Sequence, residues 1–284
     1  GRVPGRSLGR CRRAGERALQ GAAVSQMMKP YAQGKRWTLY AGDCLAVLPI
    51  LETGTIGLLA TDPPYSSGGS FRGDRMVDPS TKYLSSNSQL AAYLPQFGGD
   101  NRDQRAYLTW CSLWLGECLR IVEPGRAAVL FTDWRQLPTT TDALQCGGFV
   151  WRGIAPWLKP LARPQMGRIA AAAEFVVWGT AGPSADDEKI GCIPGHHIAS
   201  APSGGDREHV TQKPESTMRW LVSPCPAEGA VLDPFVGSGT TGAAAVATGR
   251  SFVGIEREPA YLDIAARRLE QAELDGVQLS LVRA

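Results

Sequence analysis

The sequence predicts an α/β fold, a mostly parallel sheet with helices on both faces, from three observations. Apolar runs of strand length alternate with segments of helical period along most of the chain. One stretch, "VLDPFVGSGTTGAAAVATG" (residues 231–249), reads as a strand, a glycine loop and a helix of small residues. The chain of 284 residues, 43% hydrophobic and 20% charged, has an ordinary globular composition and can bury one large core.

Taken in order, residues 1–30 carry seven Lys or Arg against one acid, Glu16. The whole chain is +3, so the remainder sums to −3, and a polyanion would have to be met by local patches. With no core-forming periodicity, this basic segment reads as a disordered tail or as sequence ahead of a start at Met27 or Met28. A nucleic-acid arm and a transit peptide are the functional alternatives. Residues 31–284 form the folded domain. Strands are expected at 38–41, 56–61, 127–132, 153–158, 175–178, 230–232 and 252–255. Residues 105–122 place Leu108, Cys111, Leu115 and Leu119 on one helical face and stop at Glu123-Pro124-Gly125. The last helix opens with Pro259 and has Leu262, Ala266 and Leu269 as its stripe. Residues 66–103 and 180–208 resist assignment, and loops of that length are usually functional or disordered.

Several classes are excluded. Seven cysteines (11, 44, 111, 118, 146, 192 and 225) never show CxxC spacing, which argues for a reducing cytoplasm and against a disulfide framework or zinc site. The three histidines lack ligand spacing, so no metal is expected. No apolar segment is long enough to span a bilayer; Glu174 interrupts the longest, residues 169–179.

Gly237, Gly239 and Gly242 satisfy GxGxxG, and Glu256 follows 19 residues after Gly237 at the end of the next strand. A tight strand-to-helix turn would explain the glycines alone. The added acidic strand end favours a nucleoside site, where glycines admit a ligand to the backbone and the carboxylate grips ribose hydroxyls. Asp233, Pro234 and Phe235 stand between strand and glycines. A carboxylate there would repel a pyrophosphate and suits a cationic ligand, such as the ammonium and sulfonium of S-adenosylmethionine (SAM).

The apolar run 56–60 ends in Asp62-Pro63-Pro64-Tyr65. An exocyclic amine of a base is a poor nucleophile because its lone pair is delocalised into the ring. Acceptors for both its N–H groups would localise that pair. Asp62 can supply one and the Pro63 carbonyl the other, with Pro64 fixing the backbone that follows. Tyr65 offers a face for an extracted base, worth roughly 1–3 kcal/mol. Catalysis is then positioning and electrostatics, with no covalent nucleophile.

Together, Asp62-Pro63-Pro64-Tyr65 and "DPFVGSGTT" (residues 233–241) resemble the amino-methyltransferases of DNA, which make N6-methyladenine or N4-methylcytosine. Further segments agree. "LYAGDCLAVL" (39–48) is similar to the family's acidic segment, which implies that Asp43 contacts the cofactor's adenine. "LRIVEPGRAAVLF" (119–131) resembles its helix-PG-strand element. "HVTQKP" (209–214) is similar to HPTQKP, with Val210 where Pro is usual, and implies Thr211 and Lys213 at the methionine end. "GRSFVGIEREPAYLDIAARRL" (249–269) resembles the ribose strand and following helix, with Glu256 as the acid. The resemblance covers most of residues 37–271. It implies a Rossmann-like, SAM-dependent methyltransferase fold. Because the tetrapeptide precedes the glycine loop, the motif order is circularly permuted, as in the beta class.

The cofactor site so implied is Asp43, Thr211, Lys213, Asp233, Phe235, Gly237, Ser238, Gly239, Thr240 and Glu256; the catalytic site is Asp62, Pro63, Pro64 and Tyr65. The implied partner is double-stranded DNA, with a cognate restriction endonuclease left open. Asp at the first tetrapeptide position accompanies adenine more often and Ser cytosine, so adenine N6 is preferred. Enzymes acting on protein glutamine or ribosomal guanine usually carry the glycine loop first. Cys225, in a Pro-Cys pair, lies far from the catalytic strand end and reads as a loop residue rather than the nucleophile of a cytosine-C5 enzyme. An RNA methyltransferase and an inactive DNA-binding protein on this scaffold are the rivals. Residues 66–103 and 180–208 are expected to recognise the target, with Arg72, Arg75, Arg102, Arg105, Arg163, Arg168 and Arg207 available for phosphates and base edges. Trp134, Trp151, Trp157 and Trp178 read as core or pocket wall.

Overall fold

The computed structural model describes residues 29–65, 102–162, 166–167, 169–185, 190–200 and 213–283. Among them nine strands form one sheet: β1 (Ala32–Gln33), β2 (Trp37–Ala41), β3 (Ile56–Thr61), β4 (Val122–Thr132), β5 (Val150–Leu158), β6 (Ala173–Thr180), β7 (His197–Ile198), β8 (Ala230–Asp233) and β9 (Ser251–Glu256). Their order is β1-β2-β9-β8-β3-β4-β6-β5-β7. The run from β2 to β4 is parallel throughout, β6 enters antiparallel to both β4 and β5, and β7 returns parallel to β5.

The helices are α1 (Cys44–Val47), α2 (Gln104–Ile121), α3 (Leu137–Cys146), α4 (Glu215–Val222), α5 (Thr240–Ala247) and α6 (Pro259–Arg283). Two apolar cores show that they cover both faces. On one face Met218, Leu221, Ala244, Leu262 and Leu269 pack against Leu39, Leu58, Val231 and Phe252. On the other, Tyr107, Cys111, Trp114, Leu115 and Leu144 pack against Leu59, Leu130, Val177 and Leu232. Strand β3 lies between them with all six residues buried, which is why its sequence is unbroken by polar alternation.

Each of the seven expected strands is present, most of them longer than expected. The largest difference is at Glu123-Pro124-Gly125, read from sequence as a break. Helix α2 does end there, but β4 starts at once, and the three residues lie inside it. Gly125, at φ +80°, donates to Ala181 and accepts from Ala185, and the β3–β4 register slips between Ile56 and Leu58. The turn chemistry is accommodated as an irregular strand start. The stripe of α6 also shifts by one: Leu262, Ala265 and Leu269 are fully buried, whereas Ala266 is partly so. Strand β7 falls within the 180–208 stretch, where no strand was expected.

This order places the site. From β8 the sheet continues through β9 to β2, and from β3 it continues through β4 the other way. The carboxyl ends of β3 and β8 are therefore neighbours at the point where the winding reverses, the crevice where open α/β sheets bind ligands.

Candidate active site

Asp62 follows β3 directly, half-buried, and its two oxygens have separate partners. Oδ1 accepts the Tyr65 hydroxyl, and Oδ2 accepts the Lys213 ammonium at 2.6 Å. Lys213 precedes α4, is almost fully buried, and lies 4.9 Å from the Phe131 ring centroid and 5.6 Å from that of Tyr65. Its second carboxylate is Glu174 of β6, with Oε2 at 3.2 Å. Glu174 Oε1 in turn takes the ammonium of Lys159, just past β5. Four residues from four segments thus form an alternating chain of charge: Lys159, Glu174, Lys213, Asp62.

Burial alone would push the Lys213 ammonium down, but Asp62 and Glu174 outweigh it and raise it. Burial likewise opposes the charge on Glu174, yet Lys213 and Lys159 hold its carboxyl below the ordinary value. Burial and the neighbouring Asp62 push the Tyr65 phenol well up, so it stays a hydroxyl donor. The tetrapeptide thus presents a carboxylate held by a phenol on one side and an ammonium on the other.

The glycine loop lies one strand over. Glu256, at the end of β9, accepts from the backbone N–H of Gly237 at 2.8 Å, of Arg257 at 2.8 Å and of Glu258 at 2.9 Å. Burial raises its pKa and these donors offset part of the rise. Gly237 and Gly239 both take positive φ, and Gly239 precedes α5. Asp43, exposed, caps α1 through Leu45 N–H, and the next residue back, Gly42, donates to the Glu256 carbonyl. Asp43 and Glu256 therefore share one end of the sheet. Phe235 packs its ring 5.2 Å from both Trp110 and Trp114.

Three expected cofactor residues are engaged within the protein. Asp233 is buried, with Oδ1 accepting from Thr61 Oγ1 at 2.7 Å and Phe235 N–H at 3.0 Å. Burial lifts its carboxyl to about 6, with Thr61, Thr241 and the Phe235 N–H pulling the other way. Ser238 and Thr240 both receive Arg268 Nη1, from α6, at 3.1 and 2.8 Å. Lys213, expected at the methionine end of the cofactor, donates to the Asp62 carboxylate. Thr211 lies outside the described residues.

Of the arginines, Arg102 stacks 4.0 Å over Trp110 and Arg105 is exposed on the first turn of α2; Arg72, Arg75, Arg163, Arg168 and Arg207 lie outside the described residues. Trp157 is a core residue, but Trp134 and Trp151 are exposed rather than pocket wall. Sequence reasoning passed over Glu174, Lys159 and Arg268 as site residues. The signal for Glu174 was present: a lone acid inside an apolar run needs a buried partner.

A family model described as DNA methylase matches residues 56–267. The type II methyltransferase M.HinfI of Haemophilus influenzae is 27% identical over 268 residues, 86% of this chain and 71% of its own length. Among solved structures, the M1.HpyAVI–SAM complex is similar with a TM-score of 0.58 at 23% identity, covering 82% of this chain and 98% of that one. The PvuII DNA methyltransferase, cytosine-N4-specific, reaches 0.62 at 19% identity, covering 88% and 94%. At these identities the structural likenesses establish the fold.

Proposed function

The chain belongs to the DNA methylase family, and from that premise we propose that it transfers a methyl group from SAM to the exocyclic N6 amine of adenine in duplex DNA. The observation that carries the reading is the adjacency of Asp62–Tyr65 and the Glu256-bound glycine loop at neighbouring strand ends.

The loop's chemistry fits SAM and disfavours a dinucleotide. In a pyrophosphate site the glycine-loop N–H groups face the phosphates. Here the Gly237 N–H is taken by a carboxylate, so the site favours a ligand with hydroxyl and cationic groups. Glu256 and Asp43 would hold the ribose and adenine. When bound, SAM supplies an electrophilic methyl on sulfur, which passes in line to the amine's lone pair while the C–S electron pair stays on sulfur.

The protein's part is to present the amine. A duplex hides it, so the base is flipped out at a cost of a few kcal/mol. Asp62 accepts one N–H and the Pro63 carbonyl the other. A carboxylate has about four acceptor positions, yet both Asp62 oxygens already carry a short, directed partner. The incoming amine displaces the Tyr65 hydroxyl, the weaker of the two, and the freed ring packs against the base. Lys213 stays, holding the second oxygen. The proton left on the methylated nitrogen departs to solvent.

Adenine is favoured over cytosine by Asp at the first tetrapeptide position, and the segments 66–103 and 180–208 are proposed to read the target sequence. Likeness to a type II enzyme supports a restriction endonuclease of matching specificity as partner. Incubating the protein with SAM and duplex DNA, digesting to nucleosides and running mass spectrometry tests the reading. N6-methyladenine is expected. N4-methylcytosine would overturn the base assignment, and methylation of RNA but not DNA would overturn the substrate.

A further inference from the structure

We propose that Glu174, anchored by Lys159, is a positioning residue for methyl transfer, acting through Lys213 to set how Asp62 meets the target amine. The inference rests on the methyl-transfer reading above. Neither residue touches Asp62; their effect passes through one ammonium.

Stability does not account for the arrangement. Glu174 sits near the start of β6, whose continuation, Phe175 to Trp178, is wholly apolar, and a carboxylate buried there is costly unless paired. A buried ion network of this kind can often be replaced by apolar groups without loss. Its geometry points to the reaction. Lys213 donates to Asp62 at 2.6 Å and more loosely to the Tyr65 hydroxyl at 3.4 Å, and its approach to Glu174 Oε2, an ion pair at 3.2 Å, is longer than that to Asp62. The ammonium is thus aimed at Asp62 and drawn from behind by Glu174.

With Glu174 removed, Lys213 would give its whole charge to Asp62 and compete with the amine for that carboxylate. With Glu174 present, the ammonium is shared, and Asp62 keeps accepting strength for the substrate. Lys159 completes the balance: without it, two carboxylates would face one ammonium. Lys159 is itself located by its carboxylate and by the Trp157 ring, 4.7 Å from its nitrogen. Protonation follows the same logic, since Lys213 is held charged and Glu174 ionised despite burial.

The test compares Glu174→Gln, Glu174→Asp, Lys159→Gln and the Glu174→Gln/Lys159→Gln pair in the full chain. Each is assayed for methyl transfer to duplex DNA and for SAM binding by calorimetry. Glu174→Gln should lower kcat by about tenfold to a hundredfold, the effect of losing one partner in a buried charged pair. Its SAM Kd should stay within about threefold of wild type. Glu174→Asp should recover part of the loss. Because both residues act through one ammonium, the double variant should be no worse than the worse single. Wild-type kcat in Glu174→Gln, losses that multiply in the double variant, or SAM affinity falling in step with kcat would each overturn the proposal. If Glu174→Gln does not fold, Lys159→Gln decides at the half-buried end of the chain. Lowered kcat with intact SAM binding supports the inference, and wild-type kcat defeats it. A wild-type protein that binds SAM but methylates no DNA defeats the proposed function itself, and this inference with it.

Discussion

Replacing Asp233 by Asn should stabilise the protein above neutral pH, by an amount that shrinks as pH falls. The carboxyl is buried at the end of β8 and its pKa is lifted from an ordinary 3.8 to about 6, chiefly by burial. The gap corresponds to about 3 kcal/mol that the native state loses by holding the group ionised. The sign follows from proton uptake. Between 3.8 and 6 the native state binds a proton that the unfolded chain does not, so the cost is absent below 3.8, grows through this window and is full above 6. Asn keeps an oxygen for Thr61 and the Phe235 N–H, and its amide can donate to Thr241, whose hydroxyl faces the same group. Asp233→Asn should therefore gain up to about 3 kcal/mol near pH 8 and about half that near pH 5. Urea unfolding of both proteins at the two pH values measures it. An Asn variant less stable than wild type by the same amount at both pH values would show that the hydrogen bonds, not the desolvated charge, govern the site.

Other substitutions probe the remaining parts. Glu256→Ala should weaken SAM binding by roughly 1.5–3 kcal/mol and lower stability as well, because three backbone N–H groups lose their acceptor; calorimetry showing unchanged affinity would remove Glu256 from the cofactor site. Asp62→Ala should abolish methylation of DNA while leaving SAM affinity within a few fold, and a variant that keeps activity would refute its role as amine acceptor. Tyr65→Phe should retain much activity and Tyr65→Ala little, since the hydroxyl leaves Asp62 when the amine arrives; equal damage from both would assign the function to the hydroxyl. Gly239→Ala should cost about 1–3 kcal/mol in urea unfolding, because φ is +83° and the new Cβ would lie 2.9 Å from Ala265 Cα; an unshifted midpoint would mean the loop can rearrange freely.

Strand β3 was legible because burial on both faces writes itself as an unbroken apolar run, whereas β5, largely exposed, was legible only over its apolar second half. The tetrapeptide and glycine loop stood out because their residue types are poor at continuing a strand; a turn would explain each alone, and it was their combination with the acidic strand end that pointed to a site. Helix α3 was not legible, since Thr139, Thr140 and Thr141 are weak helix formers, and what holds their helix is a set of contacts to the segment just before it that helical period does not report. Thr140 meets Thr132, and Asp133 accepts from the Arg135 and Gln136 N–H groups ahead of the first turn. The ion chain was hidden for a related reason. Asp62 and Lys213 are 151 residues apart, and nothing in local spacing reports that four strand or helix ends converge. Arg268 was passed over because a charged residue on a helix reads as solvated surface until its partners, Ser238 and Thr240, are seen.

If the glycine loop holds SAM as proposed, the carboxylate of Glu256 on the Gly237 amide has a consequence for which adenosine compounds it admits. Adenine nucleotides share most of a SAM molecule's recognisable surface and differ chiefly in carrying phosphate. A loop whose amide were open would welcome them, and the enzyme would spend much of its time loaded with the wrong adenosine. Here the protein's own side chain already occupies that amide before any ligand arrives. On that reading, selection against the abundant look-alikes begins in the resting fold rather than in a discriminating step after capture.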